Sequence, residues 1–528
     1  MKIKLKNLTI FFIALAFVSC SEDFLELEPQ GLRFEENFYS NKDEIHEGLM
    51  AAYDFTAQKF TNAYTYHSSY MMRNIASDDA NAGGGNALDM LEWQRIDEFS
   101  ATPSSDALMA HWWRSYFGIY RCNQIITRVD PENESLYDTP EDKEAIKEYI
   151  AEAYFLRAYF HYELVTFFGG VPLVDQVIDV SEDYPKRASK EETWAFIESD
   201  LKKAIPDLPL KSQQGSDELH RASKGAAQSL LGKAYLFQEK YDEAAETFEK
   251  VIASGEYELD SSYAHNFTTD GQFGVESVFE ISHSNTSPAD WVANRTRGFE
   301  GNVDCQLMGV RELSGSSVYR PGWGFNKAEP NLVNLFLSEG DTVRLNGSVY
   351  STDSIKAREQ RENGTNVTWN EDYKYTGWYC EKYAPKESNK GDGIGASELD
   401  YNVNERVIRY ADVLLMAAEA HMFKSTPDEA KTHEYINMIR DRVDLPDIDP
   451  NLTGDDLFDA LVKERRLELA MEGHRYFDLI RWDMAADVLV DQPEAPSNHH
   501  GSFIEGENEV FPIPLEEIKR SGNVLEQN

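Results

Sequence analysis

Hydrophobic residues recur at helical spacing along much of this chain, and the pattern predicts a series of helices. Ile45, Leu49 and Tyr53 form one apolar stripe within residues 43–57. Longer patterns of the same period predict helices over residues 109–128, 141–168 and 190–205. The chain is therefore predicted to be mainly α-helical.

Residues 224–254 carry the clearest repeat-like pattern. Leu231-Gly232, Tyr235, Ala244 and Phe248 match the tetratricopeptide pattern L-G-x-x-Y…A-x-x-x-F, whose small residues let paired helices pack closely. Residues 410–443 form a degenerate second copy. One good copy and one poor copy are weak evidence for a solenoid on their own, so the pattern predicts helix pairs only.

Two stretches lack helical periodicity. Residues 76–105 are rich in Gly, Asn, Asp and Ser, with Trp93 in the middle, and this composition predicts a long surface loop. Residues 255–402 are irregular, with short β-like runs such as residues 277–281.

The stretch from Lys463 to Trp482 combines carboxylates and guanidinium groups. Its helix is predicted to start after an N-cap at Thr453 and to end at Gly473. A stripe of carboxylates at i, i+4 and i+8, with arginines beside it, predicts a partly buried ion network; the residues are Glu464, Glu468, Glu472, Arg465 and Arg466. Acid/base catalysis is the alternative, but a nearby arginine lowers a carboxylate's pKa, away from the value of a general acid.

The N-terminus resembles a bacterial lipoprotein signal. Residues 1–19 have three lysines and then an apolar run that is too short for an ordinary membrane span. Ser19 precedes Cys20, which would become the lipidated first residue of the mature protein. Ordinary secretion, with Cys20 incidental, is the alternative. Acylation of Cys20 would anchor the protein stably to a membrane.

Charge and cysteine content exclude some functions. The formal net charge of −42 makes this chain a poor nucleic-acid binder, since phosphate neutralisation needs clustered Lys and Arg. Cys122, Cys305 and Cys380 remain after Cys20, without CxxC spacing, so at most one disulfide is expected. Cys122 is predicted to be a small buried residue of a helix.

Several stretches together resemble the SusD/RagB family of surface glycan-binding lipoproteins. The matching stretches, in family order, are GWG (322–324), IRYADVLLMAAEA (408–420), INMIR (436–440), ERRLELAMEGHRYFDLIRW (464–482) and FPIP (511–514). The resemblance implies a SusD-like fold, mainly α, with tetratricopeptide-like helix pairs and long irregular loops that carry short strands. It also implies one compact domain with an N-terminal helical region (20–254) and a C-terminal region (255–528). In that family the 464–482 signature contributes to the fold and does not contact the ligand.

Motifs of common enzymes are absent. The chain lacks HExxH, G-x-S-x-G and a Walker loop. Asp78, Asp79 and Asn81 offer oxygen ligands for a structural calcium ion, although the glycine and distal glutamate of an EF-hand are missing. No other cofactor or metal is expected. The sequence leaves open a pair of carboxyls with the spacing of a glycosidase.

Aromatic rings with polar neighbours are the remaining candidates for a ligand site, because they suit the apolar faces and polar edges of sugars. Trp93 and Trp291 lie outside helical periodicity with Arg95 or Arg295 nearby, and Tyr319 and Trp323 come next. These four residues and Asp79 are the predicted glycan-binding residues. Burial in the core is the alternative for each ring.

The resemblance implies a function for the whole chain. It is that of a non-enzymatic lipoprotein at the surface of the outer membrane, which holds an oligo- or polysaccharide over a SusC-like TonB-dependent transporter. A surface-anchored hydrolase of the same polymers is one alternative. A protein-binding scaffold and a binding protein for a non-sugar nutrient such as a peptide are the others.

Overall fold

The computed structural model describes residues 38–59, 66–178, 184–286, 300–391, 396–490 and 503–528. The N-terminal half is largely helical, as predicted. Its elements are α1 (Lys42–Ala57), α2 (Ser69–Ile75), β1 (Ala80–Gly83), α3 (Leu91–Asp97), α4 (Asp106–Arg128), α5 (Pro140–Phe168), α6 (Lys190–Ala204), α7 (Lys224–Leu236) and α8 (Tyr241–Ala253). Residues 1–37, with the predicted signal and Cys20, lie outside the described ranges.

The C-terminal half mixes short strands with helices. Its first elements are β2 (Ser277–Ile281), α9 (Val303–Met308), β3 (Phe325–Ala328), α10 (Pro330–Glu339), α11 (Thr342–Ser348), β4 (Val349–Ser351), α12 (Thr352–Asn363), β5 (Trp378–Cys380) and β6 (Glu405–Arg409). It ends with α13 (Tyr410–Phe423), α14 (Glu429–Asp441), α15 (Gly454–Glu468), α16 (Arg475–Arg481), α17 (Ala485–Val488) and α18 (Leu515–Arg520). The prediction of a mainly helical fold with short strands is confirmed.

Side-chain caps explain where the long helices begin. The Thr139 side chain accepts a hydrogen bond from the Asp142 amide at the start of α5. At the start of α6, Ser189 and Glu192 form a reciprocal capping box. These polar residues satisfy amides that the first helical turn leaves without an intrahelical partner.

The two predicted helix pairs are present and pack against each other. The first is α7 with α8, the second is α13 with α14, and α8 contacts α13. Gly232 shows why the pattern needs a small residue, since a Cβ atom there would lie 2.5 Å from the Phe248 ring. The close approach of α7 and α8 therefore depends on the missing side chain.

Within the described ranges, the strands form two small antiparallel sheets. One has four strands in the order β1-β3-β5-β4, and the other pairs β2 with β6. The β2–β6 register is irregular between Ser277 and Glu280, which is typical of a β-bulge. In the four-stranded sheet, residues near position 80 pair with residues near position 326, which in turn pair with Tyr379.

One large hydrophobic core extends from Tyr39 to Leu525 and includes residues of both predicted regions. The division at residue 254 stays a prediction. The predicted surface loop over residues 76–105 is wrong: β1 and all of α3 lie inside this stretch, and all four residues of β1 are buried. The glycine-rich composition of residues 76–105 thus belongs to a segment that includes a buried strand. None of the helices in the described ranges is both long and apolar enough to cross a membrane.

Candidate functional site

A buried ion network around α15 is confirmed, but the predicted Arg465 and Arg466 pair with aspartates instead of the glutamate stripe. Glu468 is buried and forms ion pairs with Arg344, Arg409 and Arg442. Burial would raise the pKa of Glu468, but the three guanidinium charges outweigh it and hold that pKa well below its usual value. Glu472, paired with Arg409, has its pKa lowered to about 2 in the same way. Carboxyls held ionised like this cannot act as general acids, so this network supports the fold.

Asp78 and Asp79 belong to a second buried ion cluster. Arg466 Nε lies 2.8 Å from Asp79 Oδ1, and Arg475 Nε lies 2.8 Å from Asp78 Oδ1. Asp79 is 1% exposed, so the prediction that it contacts a glycan is wrong. The sequence left a structural calcium ion possible here, but guanidinium groups pair with both carboxylates that would bind it.

The structure places Trp93 in the core. Its side chain is 0% exposed, and its ring packs edge-to-face against Phe325 at a centroid distance of 5.5 Å. A second edge-to-face contact joins it to Tyr66 at 6.5 Å. A sugar cannot stack on a ring without exposed surface, so the prediction of Trp93 as a binding residue is wrong. Trp291 lies outside the described residues, and its role stays a prediction.

Trp323 is half-buried. Its ring meets Tyr66 edge-to-face at 6.0 Å, and its amide donates to the Gln306 carbonyl at 3.0 Å. The next residue, Gly324, has a φ of +76°, and a Cβ atom there would lie 1.8 Å from Asp372 Oδ2. The GWG segment therefore packs closely against its surroundings, while part of the Trp323 ring stays accessible.

Tyr319 is half-buried, and its ring is rigidly held. The Tyr350 ring stacks on it at a centroid distance of 4.4 Å and an interplanar angle of 5°. The Arg358 guanidinium lies 5.1 Å from the Tyr319 centroid, and the Tyr319 hydroxyl donates to Glu381 at 2.7 Å. Burial and the Glu381 charge raise the pKa of this hydroxyl above its usual value. A stacked ring, a cation and an anion therefore hold Tyr319 in place, and the residue stays partly accessible.

Trp369 and Tyr375, which are not among the predicted glycan-binding residues, lie with Tyr319 in the fold. These three half-buried rings pack on one small apolar cluster, and we call them the aromatic shelf. Trp369 Nε1 donates to the Tyr375 hydroxyl at 3.0 Å, and that oxygen lies 2.7 Å from Thr352 Oγ1. Lys356 lies 5.9 Å from the Trp369 ring centroid. The only signal in the sequence was an aromatic-polar run, Trp369-Asn370-Glu371-Asp372-Tyr373.

The shelf has the chemistry of a stacking surface with polar edges. Hydrogen bonds of the Trp369 and Tyr375 polar atoms fix their rings before any ligand arrives, so little rotamer entropy is lost on binding. Lys356, Arg358 and Glu381 supply charged groups beside the rings. In the described ranges, no group of three or more His, Cys, Asp or Glu residues is arranged to hold a metal ion.

The three cysteines in the described ranges are buried thiols. Cys122, Cys305 and Cys380 form no disulfide, and Cys122 lies in α4 as predicted. Burial raises the pKa of the Cys122 and Cys305 thiols above their usual values, which leaves them protonated and unreactive.

Comparisons with known proteins extend over nearly the whole chain. A family model described as the SusD family matches residues 250–528, and one described as "Starch-binding associating with outer membrane" matches residues 23–236. SusD-like protein P38 from Formosa agariphila is 26% identical over 517 residues, covering 92% of this chain and 93% of the relative.

Solved structures of similar proteins share the fold. A laminarin-binding SusD-like protein is 30% identical with a TM-score of 0.80, covering 93% of this chain and 99% of that one. Surface glycan-binding protein A from Bacteroides thetaiotaomicron, in complex with laminarihexaose, is 26% identical with a TM-score of 0.81, covering 92% and 99%. Since the SusD family model spans more than half of the sequence and these relatives align almost end to end, this chain belongs to the SusD family.

Proposed function

We propose that this protein is a surface glycan-binding lipoprotein of the outer membrane. The observation that carries the proposal is the similarity to surface glycan-binding protein A, a protein solved with laminarihexaose, over 92% of this chain. The aromatic shelf supports it, because fixed half-exposed rings with charged neighbours suit a sugar chain. Laminarin, the ligand of a 30% identical relative, is the first glycan to test.

The outer-membrane location rests on the family description and on the N-terminal signal. The model matching residues 23–236 is described as starch-binding and associating with the outer membrane. The Ser19-Cys20 junction after an apolar run supplies a lipid attachment point. We further propose that the bound glycan passes to a SusC-like TonB-dependent transporter, as the family resemblance implies.

The protein is proposed to bind without hydrolysing. Burial raises the pKa of Asp97 and Asp400 to about 6, a value that suits a general acid. Asp97 and Asp400 are nevertheless only 0% and 1% exposed, so a glycosidic bond cannot reach their carboxyl groups. A carboxyl must contact the glycosidic oxygen to protonate it.

If the protein were a hydrolase, one open cavity would be its candidate active site. It has a volume of about 300 Å³ and is lined by Asp54, Glu280 and Glu300, among others. Loss of water contact and then the Glu300 charge raise the pKa of Asp54. Paired carboxyls in a cleft are the usual equipment of glycosidases, so this cavity needs a direct assay.

One experiment separates binding from hydrolysis. Purified protein is run through native gels with and without laminarin, and the same mixture is assayed for new reducing ends. We expect retardation in the laminarin gel and no release of reducing ends. Release that disappears in Asp54→Asn would establish a hydrolase instead, and the absence of retardation with a panel of neutral and acidic polysaccharides would contradict glycan binding.

A further inference from the structure

Four aromatic rings form a continuous surface strip across α8, α13, α15 and the end of α16, apart from the residues of the aromatic shelf. Tyr241 begins α8, Phe423 ends α13, Phe458 lies in α15, and Trp482 follows α16. Successive ring centroids are 5.3, 5.2 and 5.7 Å apart. Phe423 is 40% exposed, and the other three are half-buried. We call these four residues the acidic aromatic strip, for the charges described next.

Exposed carboxylates lie close to the strip residues in the sequence. Seven acidic residues lie within three positions of a strip residue and are exposed: Glu239, Asp242, Glu243, Asp455, Asp456, Asp459 and Asp483. In the part of the chain that the structure describes, none of them forms an ion pair. Because one sign of charge dominates, the strip attracts cations and repels anionic surfaces.

The cations nearest to the strip are already engaged. Arg481 pairs with Glu419 and with Asp478, and its guanidinium lies 4.6 Å from the Trp482 centroid. Lys240 pairs with Glu198 at 2.5 Å. Lys424 lies 3.0 Å from His421 Nδ1. Lys240 and Arg481 are therefore held by carboxylates outside the exposed set. Hydrogen bonds from Ser425 and then the Lys424 charge lower the pKa of Asp242, so Lys424 offsets that one carboxylate and the other six have no ion pair within the described residues.

The rings are poorly arranged for a sugar and well arranged for a protein side chain. Phe423 meets Phe458 at 75°, and Phe458 meets Trp482 at 89°, so the strip does not offer one flat platform. Two of its four rings are phenylalanines, which lack a polar atom to hydrogen-bond a hydroxyl. Clustered aromatic residues inside a charged rim are typical of protein interfaces.

We propose that the acidic aromatic strip docks a polypeptide segment in which arginine or lysine alternates with aliphatic residues. Guanidinium groups stack on aromatic faces and pair with carboxylates, so such a segment satisfies both features of the strip. Aliphatic side chains would cover Phe423 and Phe458. The inference does not depend on glycan binding at the shelf.

The test uses a short synthetic peptide of alternating arginine and leucine, with a glutamate-leucine peptide of equal length as its counterpart. We expect the purified full-length chain to bind the first peptide and not the second in calorimetry. Phe423→Gln should weaken binding about tenfold, equivalent to ~1.4 kcal/mol, while it leaves every charge in place. Phe117→Gln is the matched control, because Phe117 is an exposed ring (55%) that stacks on Phe55 outside the strip.

A second variant keeps the test decisive if Phe423→Gln unfolds. Asp459→Asn removes one exposed rim charge and should weaken binding and reduce its salt dependence. Equal affinity of wild type, Phe423→Gln and Asp459→Asn would overturn the proposal, as would no binding of the arginine-leucine peptide. If the arginine-leucine peptide does not bind, a chitosan oligosaccharide that binds wild type but not Phe423→Gln would show that the strip binds a cationic sugar instead.

Discussion

Arg409 and Glu468 lie 59 residues apart in the chain and meet in the core, where Arg409 Nη1 donates to Glu468 Oε1 at 3.0 Å. The same guanidinium also contacts Glu276 and Glu472. One arginine thus joins the start of α13, the β2 strand region and the turn after α15. The 464–482 signature, which contains Glu468 and Glu472, therefore connects distant parts of the fold and stabilises it.

Arg409→Ala should destabilise the protein strongly. It leaves buried carboxylates without their partner, and breaking a buried ion pair in this way costs about 3–5 kcal/mol. Denaturant unfolding followed by circular dichroism measures the loss. Arg361→Ala is the control, because Arg361 pairs with Glu362 at the surface, where such a pair contributes about 0–1 kcal/mol. Equal stability of the two variants would contradict the conclusion that Arg409 stabilises the fold.

The stability contributed by Glu472 should depend on pH. Its pKa is about 2 in the folded protein and near 4.5 when unfolded, so the group is ionised more easily in the fold. Its contribution is therefore complete above pH 4.5 and is lost as the pH falls toward 2. The stability difference between wild type and Glu472→Gln should shrink over that interval. A difference that stays constant from pH 5 to pH 2.5 would show that charge is not the cause.

Sequence periodicity predicted the long helices but not the short elements. The predicted helices over 109–128 and 141–168 differ from α4 and α5 by only a few residues, because each repeats its apolar stripe over many turns. α3 has seven residues, too few for a period to appear, so Trp93 looked like a loop residue. The predicted helix end at Gly473 was also wrong, since α15 ends at Glu468 and Glu472 reaches the network from the following turn.

The aromatic shelf could not be predicted because tertiary contacts assemble it. Tyr319 precedes β3, and Trp369 and Tyr375 lie between α12 and β5. Packing on one small cluster brings these rings together. The sequence showed that the region was rich in aromatics, but not which rings kept an exposed edge.

Cys20→Ala should release the protein from the membrane. The change removes the one lipid attachment point predicted from the sequence, and the strongly acidic chain is repelled by anionic lipid head groups. Fractionation of cells that lack the proposed SusC-like transporter, followed by immunoblotting, measures the distribution. A variant that stays in the membrane fraction in high salt would contradict lipid anchoring at this residue.

Trp93→Ala should unfold the protein at lower denaturant rather than weaken glycan binding selectively. The ring is fully buried against Phe325, and truncation of a buried tryptophan typically costs about 3–5 kcal/mol. Unfolding curves measure the cost, and Trp93→Phe should recover part of it because an aromatic ring remains. A Trp93→Ala protein with wild-type stability but no glycan binding would return this residue to the ligand site.

Trp369→Ala should weaken laminarin binding without a large loss of stability. The half-buried ring is part of the aromatic shelf, and truncating a central aromatic contact commonly costs about 2 kcal/mol of binding, or ~30-fold in affinity. Because only part of the ring is buried, the free energy of unfolding should fall by about 1 kcal/mol. Affinity electrophoresis in laminarin gels beside thermal melts measures both quantities.

Trp113 provides a matched control for this change. It is also half-buried, its indole N–H donates to Glu517 at 2.7 Å, and an arginine, Arg520, lies 5.0 Å from its ring centroid. It lies on α4, so Trp113→Ala removes a similar ring from a surface that is not part of the shelf. The two variants should lose similar stability, while only Trp369→Ala loses mobility shift in the laminarin gel. If both bind laminarin as wild type does, the glycan contacts other rings, and Trp323 becomes the next residue to change.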